Sequence, residues 1–318
     1  MTWALKDLMP LILRCLTKQS ETLDDDTWSV AMAAGTCLGL IAQATQDNVV
    51  QHVLPFVAKF IQSKEWRWKE AATLAFGCIL EGPKQSKLAS LVSQVFGVIL
   101  EQMQGFSICA MLFIDKSALV KDTAAWTVGR ICHLVPEVVT APILPKLMEA
   151  LDTGLKDTPK VAANVCWAIH NLAAAVEINE ETKSSPMSKY FENLMQTLFR
   201  VTERQDRYEA NLISSAYEAI NELIQTAAPD QFSLIGRMIP TLIGRLKFTL
   251  SMQGLTGNEK EKQNEVQALL CGSLQVAIQK VDKAGIPYAD ALMLMFLQVL
   301  QSKNATVHEE ALMAIGAV

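Results

Sequence analysis

Ala124-Ala125-Trp126-Thr127-Val128-Gly129 is one copy of a pattern that this chain repeats. Its counterparts are Ala33-Ala34-Gly35-Thr36-Cys37-Leu38, Ala71-Ala72-Thr73-Leu74-Ala75-Phe76 and Ala162-Ala163-Asn164-Val165-Cys166-Trp167, with weaker copies starting at Ile213-Ser214, Gln267-Ala268 and Glu310-Ala311. Taking the second small residue as anchor gives Ala34, Ala72, Ala125, Ala163, Ser214, Ala268 and Ala311, at intervals of 38, 53, 38, 51, 54 and 43 residues. A base period of about 40 residues is that of a solenoid built from helix pairs. Three residues beyond the anchor, on the same helical face, stand Cys37, Ala75, Val128, Cys166, Tyr217, Cys271 and Ala314. Six of these seven are small, as a close approach of neighbouring helices requires. Cys37, Cys166 and Cys271 are therefore read as packing residues rather than nucleophiles or ligands.

A first helix precedes each second one. Four apolar runs carry a proline, at Leu8-Met9-Pro10-Leu11-Ile12, Val53-Leu54-Pro55-Phe56-Val57, Ile143-Leu144-Pro145-Lys146-Leu147 and Met238-Ile239-Pro240-Thr241-Leu242. Proline inside a helix costs about 3 kcal/mol, so four matching cases predict a repeated, kinked first helix. The fold expected is an all-α HEAT-repeat solenoid, a right-handed superhelix of antiparallel helix pairs. Its seven repeats fall roughly at 1–45, 46–83, 84–136, 137–178, 186–228, 229–283 and 284–318. The longer intervals suggest loop insertions near Gly105–Ile114, Glu177–Ser188 and Gly254–Gln263. The chain opens in a first-type helix and stops at Gly316-Ala317-Val318 without a polar capping repeat, so it is expected to be cut at both ends from a longer array, or to be an incomplete gene model.

Composition narrows the function. Of 318 residues, 50% are hydrophobic and 19% charged, which excludes disorder. A net charge of −5 gives no general attraction to nucleic acid or anionic lipid. Apolar stretches such as Ile108 to Ile114 are too short to span a bilayer, and Lys6, Asp7 and Arg14 break up any signal-peptide core. The seven cysteines (15, 37, 78, 109, 132, 166, 271) are odd in number and scattered, with no C-x-x-C pair. That suits a reducing compartment better than a disulfide framework or a zinc site.

No phosphate-binding, zinc-protease or nucleophile-elbow motif is present. Gly254-Leu255-Thr256-Gly257 leads into Asn258-Glu259-Lys260, too acidic and short to cradle phosphate, and His52, His133, His170 and His308 lie in different repeats. Asp24-Asp25-Asp26 invites a magnesium reading of the prenyl-transfer kind, but Trp28 stands where a third aspartate would be needed and no second cluster follows. Read on its own, the run is a solvated acidic loop capping the next helix. Tryptophan is more informative. Trp126 lies one residue past its anchor, about 100° off the core stripe, and is expected to be exposed. Trp167, four past its anchor, sits at the edge of the core face, where packing and exposure are equally open. Trp28 and Trp66 both fall six before their anchors, near the Trp126 flank. Indoles along the inner wall of second helices, with acids nearby, can stack on the stems of a basic helix.

Phe76-Gly77-Cys78-Ile79-Leu80-Glu81-Gly82-Pro83, Asp122-Thr123-Ala124-Ala125-Trp126-Thr127-Val128-Gly129-Arg130-Ile131-Cys132 and Asn164-Val165-Cys166-Trp167-Ala168 closely resemble the central HEAT repeats of the importin β family of nuclear import receptors. Val53-Leu54-Pro55-Phe56 and Ser214-Ser215-Ala216-Tyr217-Glu218 fit too, and the resemblance runs along essentially the whole chain. It implies a receptor, not an enzyme, without a cofactor or metal. It implies a concave wall that takes the basic N-terminal helix of importin α, with Trp28, Trp126 and Trp167 matching the family's tryptophan positions. Asp24-Asp25-Asp26-Thr27-Trp28 resembles the family's acidic loop, which serves Ran GTPase binding and cargo release, and this turns the reading of the aspartates towards function. The Ran site would be partial here, because the family's amino-terminal repeats are missing. So are many of the carboxy-terminal repeats that complete the grip on importin α. Nucleoporin phenylalanine-glycine repeats are a further partner that the resemblance leaves open, with no direct nucleic acid and no membrane insertion. Cytoplasm, nucleus and the nuclear pore are the implied locations. The acidic run is shorter than usual in the family. The stretch Gly105–Ile114 is an extra apolar insert, read as a helix extension, an exposed loop or a gene-model error. The competing readings are a static HEAT scaffold such as a phosphatase structural subunit, and an enzyme resting only on the aspartates.

Overall fold

The computed structural model describes residues 4–19, 29–104, 117–281, 287–301 and 304–318. Asp24, Asp25, Asp26, Trp28 and the 105–114 insert fall outside the described residues. The chain divides into two compact units, Met1–Ala175 and Val176–Val318. Among the described residues the elements are α-helices joined by short turns and 3-10 segments, with one isolated bridge between Asn179 and Ser184 and no strand.

Unit one holds four helix pairs: α1 (Leu5–Leu16) with α2 (Val30–Thr45), α3 (Val50–Phe60) with α4 (Trp66–Ile79), α5 (Gln85–Gln104) with α6 (Ala118–Leu134), and α7 (Leu144–Gly154) with α8 (Pro159–Ala175). The second helices stack in order, α2 on α4 on α6 on α8, while α1 packs on α3 and α5 on α7. Unit two holds α9 (Ser188–Val201) with α10 (Leu212–Thr226), α11 (Phe232–Ser251) with α12 (Gly257–Val281), and α13 (Ala289–Val299) with α14 (Ala305–Ala317). There α10, α12 and α14 form the stack of second helices.

The repeated motif lies on the second helices because its small residues let them approach. Ala71, Ala72 and Ala75 of α4, Ala124 and Ala125 of α6, and Ala162 and Ala168 of α8 are completely buried. Helix starts are set locally: Ser29 Oγ accepts from Met32 N at 3.2 Å, and Asn304 Oδ1 accepts from Val307 N at 3.2 Å. At α12, Thr256 N donates to Glu259 Oε2 at 2.9 Å while Glu259 N reaches Thr256 Oγ1 at 3.4 Å, a reciprocal capping box.

Three expectations need correction. Pro10, Pro55 and Pro240 lie inside α1, α3 and α11, but Pro145 sits in the first turn of α7, where its missing N–H has no partner to lose. The supposed insertion at Gly254–Gln263 is mostly the start of α12: the interval is long because α11 has 20 residues and α12 has 25. Cys37 is exposed, whereas Cys166 and Cys271 are buried as packing residues. The reason is that α2 packs on α1 and α4, and no described helix covers its face bearing Met32, Thr36, Cys37 and Leu40. In the folded chain Cys37 is therefore expected to react with a maleimide while Cys166 and Cys271 stay protected, as peptide mass spectrometry would read.

Candidate functional site: the tryptophan stripe of the second helices

On α6 the residues open or partly open to solvent include Leu119, Asp122, Trp126, Arg130 and His133. Their spacing of three or four makes one continuous stripe. On α8 the matching stripe is Lys160, Ala163, Trp167, His170 and Ala174. Trp126 and Trp167 are both half-buried, so Trp167 belongs to the outward-facing stripe and not to the core. Trp66 instead begins α4, with the Arg67 guanidinium 4.5 Å from its ring centroid.

Each stripe tryptophan rests on a glycine of the preceding second helix. A Cβ placed on Gly77 would meet Trp126 Cζ3 at 2.5 Å, and one on Gly129 would meet Trp167 Cε3 at 2.3 Å. Only glycine leaves room for the indole there. The carbonyl of the same glycine takes a donor from four residues past the tryptophan. Arg130 Nε donates to Gly77 O at 3.0 Å, and Asn171 Nδ2 donates to Gly129 O at 3.3 Å. Thus two consecutive layers are joined by one device, a ring on the glycine Cα side and a donor on its carbonyl. Sequence reasoning missed it, although a glycine 49 or 38 residues before a tryptophan, with Arg or Asn four after, was there to be read.

Polar side chains extend the seam. The Arg130 guanidinium lies 5.1 Å from the Trp126 centroid and pairs with Glu81 at 2.8 Å, and Gln43 donates to the same carboxylate. This chain of contacts ties α2, the end of α4 and α6 together. Hydrogen bonds from Gln43 and Arg130, together with the cation, hold the Glu81 carboxyl below its usual range. One turn before Trp126, Asp122 accepts from Asn164 Nδ2 at 2.8 Å, and burial pushes its pKa up to about 6. Lys121 and Asp157 pair at 2.7 Å across the same layers.

Deeper in the seam Glu70 is buried. It accepts from Gln19 Nε2 at 2.6 Å and from Thr123 Oγ1 at 2.7 Å. Burial raises its pKa to about 7, against the pull of those two hydrogen bonds and with the neighbouring Asp122 charge adding to the rise. The stripe therefore offers half-open aromatic faces flanked by carboxylates, a surface suited to cationic side chains. No group of three or more His, Cys, Asp or Glu among the described residues is placed to hold a metal ion, and no described helix is long and apolar enough to cross a membrane.

An antiparallel helix-pair array with this seam defines a HEAT-type repeat protein. The family model described as "Importin subunit beta-1-like, TPR repeats" matches residues 146–318. Importin subunit beta-1 of Arabidopsis thaliana is 39% identical over 328 aligned residues, covering 99% of this chain and 36% of that protein. Among solved structures, Kap95p in a complex described as inducing the switch loops of RanGDP to adopt the GTP-bound conformation superposes with a TM-score of 0.88 at 32% identity. It covers 99% of this chain and 36% of that one. Kap95 in a complex with Nup1 gives 0.87 at 33% identity, covering 99% and 35%. The chain belongs to the importin subunit beta-1 family. It spans about a third of the length of these relatives.

Two measurements probe the seam. Gly77→Ala and Gly129→Ala should each destabilise unit one by about 1–3 kcal/mol, because the indole must leave its seat; urea unfolding followed by tryptophan fluorescence reports this. Glu70 carries a folded pKa above the ordinary 4.5, so the folded state holds a proton that the unfolded chain gives up. Stability from this group is greatest below pH 4.5 and is lost as pH rises towards 7. Glu70→Gln should flatten that decline in the thermal midpoint.

Proposed function

We propose that this chain is the central part of a nuclear import receptor and that its tryptophan stripe takes the basic N-terminal helix of importin α. The observation that carries the reading is the pair of half-open indoles, Trp126 and Trp167, on consecutive second helices, with Asp122 and Glu81 beside the first. Lysine and arginine stems stack on such rings while their charged ends pair with the acids. Arg130, 5.1 Å from the Trp126 centroid, is an internal instance of a guanidinium on this ring. The net charge of −5 favours encounter with a cationic guest.

The segment Asp24-Asp25-Asp26-Thr27-Trp28 is assigned to the same guest and to a partial site for Ran GTPase, as the family's acidic segment. Support comes from family membership and from the likeness to Kap95p in its Ran complex. Likeness to Kap95 in its Nup1 complex supports contact with nucleoporin phenylalanine-glycine repeats. Passage between cytoplasm and nucleus through the pore follows from that role. No catalytic step, cofactor or resident metal enters it. Family membership counts against a phosphatase scaffold.

Titration of a fluorescent peptide carrying the basic importin α helix is the direct test. Trp126→Ala and Trp167→Ala should each weaken binding by about 1–2 kcal/mol, roughly five- to thirtyfold. Affinity should also fall with salt, since open charge pairs are screened within about 8–10 Å. Folded variants that bind as the parent does would overturn the site.

A further inference from the structure

Two acids of unit one stand on consecutive layers of the seam. Asp122, half-buried one turn before Trp126, accepts from Asn164 Nδ2 of α8 at 2.8 Å. The next residue, Thr123, donates its hydroxyl to Glu70 Oε1 of α4 at 2.7 Å. Glu70 is only 3% exposed, and its second oxygen accepts from Gln19 Nε2 at 2.6 Å. One hydrogen-bonded cluster across α4, α6 and α8 thus holds an outer carboxyl on the stripe and an inner one behind it. Burial holds both above the ordinary carboxylate range, Glu70 at about 7 and Asp122 at about 6, and the Asp122 charge adds to the rise at Glu70.

Little else that is charged bears on the pair. Within α4, Lys69 precedes Glu70 and is buried with it, and burial pushes the Cys78 thiol up to about 12. Arg67 donates to Gln19 O at 2.8 Å. Helix α2 brings no charged side chain, and Lys6, Asp7 and Arg14 of α1, Lys59 of α3 and Lys87 of α5 are exposed. His52 of α3 and Glu101 of α5 are half-exposed, and Glu137 after α6 is exposed. On the stripe side Lys121 is held by Asp157 and Arg130 by Glu81, while His133 of α6 and Lys160 and His170 of α8 complete the set. Neither Asp122 nor Glu70 draws on a cation.

A carboxyl beside an aromatic ring gains a counter-ion when a lysine or arginine stacks on that ring. We infer that Asp122 and Glu70 form a proton-linked pair that grades the grip of the Trp126 site on a cationic guest. Asp122 sheds its proton to pair with the guest, and Glu70, a positioning residue that acts from behind, adds a second negative charge when it ionises in turn. A guest cation favours both ionised forms, so binding releases protons and affinity rises with pH. This regulation rests on the importin α reading of the stripe.

The test is the binding of a fluorescent importin α helix peptide to the whole chain from about pH 5 to about pH 8, with circular dichroism confirming the fold throughout. Acids and histidines of the peptide are replaced by alanine, so that only the chain titrates. Affinity should rise about fivefold up to about pH 6.5, and about twofold more by about pH 8. Asp122→Asn should abolish the first step, whereas Glu70→Gln should keep the first and abolish the second. A first step retained in Asp122→Asn would assign it to His133 and His170 and overturn the inference. A second step retained in Glu70→Gln, or parental binding that is flat in pH, would overturn it too while leaving the importin α reading in place. No binding at any pH would remove both.

Discussion

Close approach of the second helices is the constraint on which the rest depends. Layers of α4, α6 and α8 meet through alanine and glycine, and the cost of any added methyl is set by what stands opposite. At Gly77 and Gly129 the object opposite is a tryptophan ring, so the narrowest points of the seam and its largest side chains occupy the same place. Size complementarity, not a run of matched apolar residues, aligns these layers. The donors that follow, Arg130 and Asn171, fix the register along the seam by binding the carbonyl of the same glycine.

Around that contact the polar groups do different jobs at different depths. Glu70 is enclosed and shared between Gln19 and Thr123, so its protonation is tied to packing. Glu81 is open to solvent and is held by a cation and an amide from two neighbouring layers. Asp122 lies between these extremes, half-buried beside the indole. Electrostatic character on the stripe is thus graded from a carboxyl that resists ionisation to one that welcomes it.

Much of this was legible in the sequence. Small-residue anchors located the second helices, because a 3.6-residue period and a need for close contact leave the same mark wherever the helix recurs. Offsets from the anchor placed Trp126 off the core stripe. What failed did so for local reasons. The Cys37 position matches its counterparts by offset, but burial depends on a neighbour that an offset does not specify. Pro145 looked like Pro55 because the run around it is equally apolar, yet it opens a helix instead of interrupting one. The glycine seats escaped notice because they join residues in different repeats, and a comparison of equivalent positions never sets them side by side.

The seating of each indole on a glycine has a mechanical corollary. If the ring that is mortar between two courses is also the landing place proposed for a visitor, neither role is independent of the other. If the courses are spread, the ring loses its support and the landing place changes shape. If a visitor grips the ring, the courses are harder to spread. By thermodynamic reciprocity the elasticity of the stack and the tenacity of its grip are then one coupled quantity, written into two glycines that touch no visitor themselves.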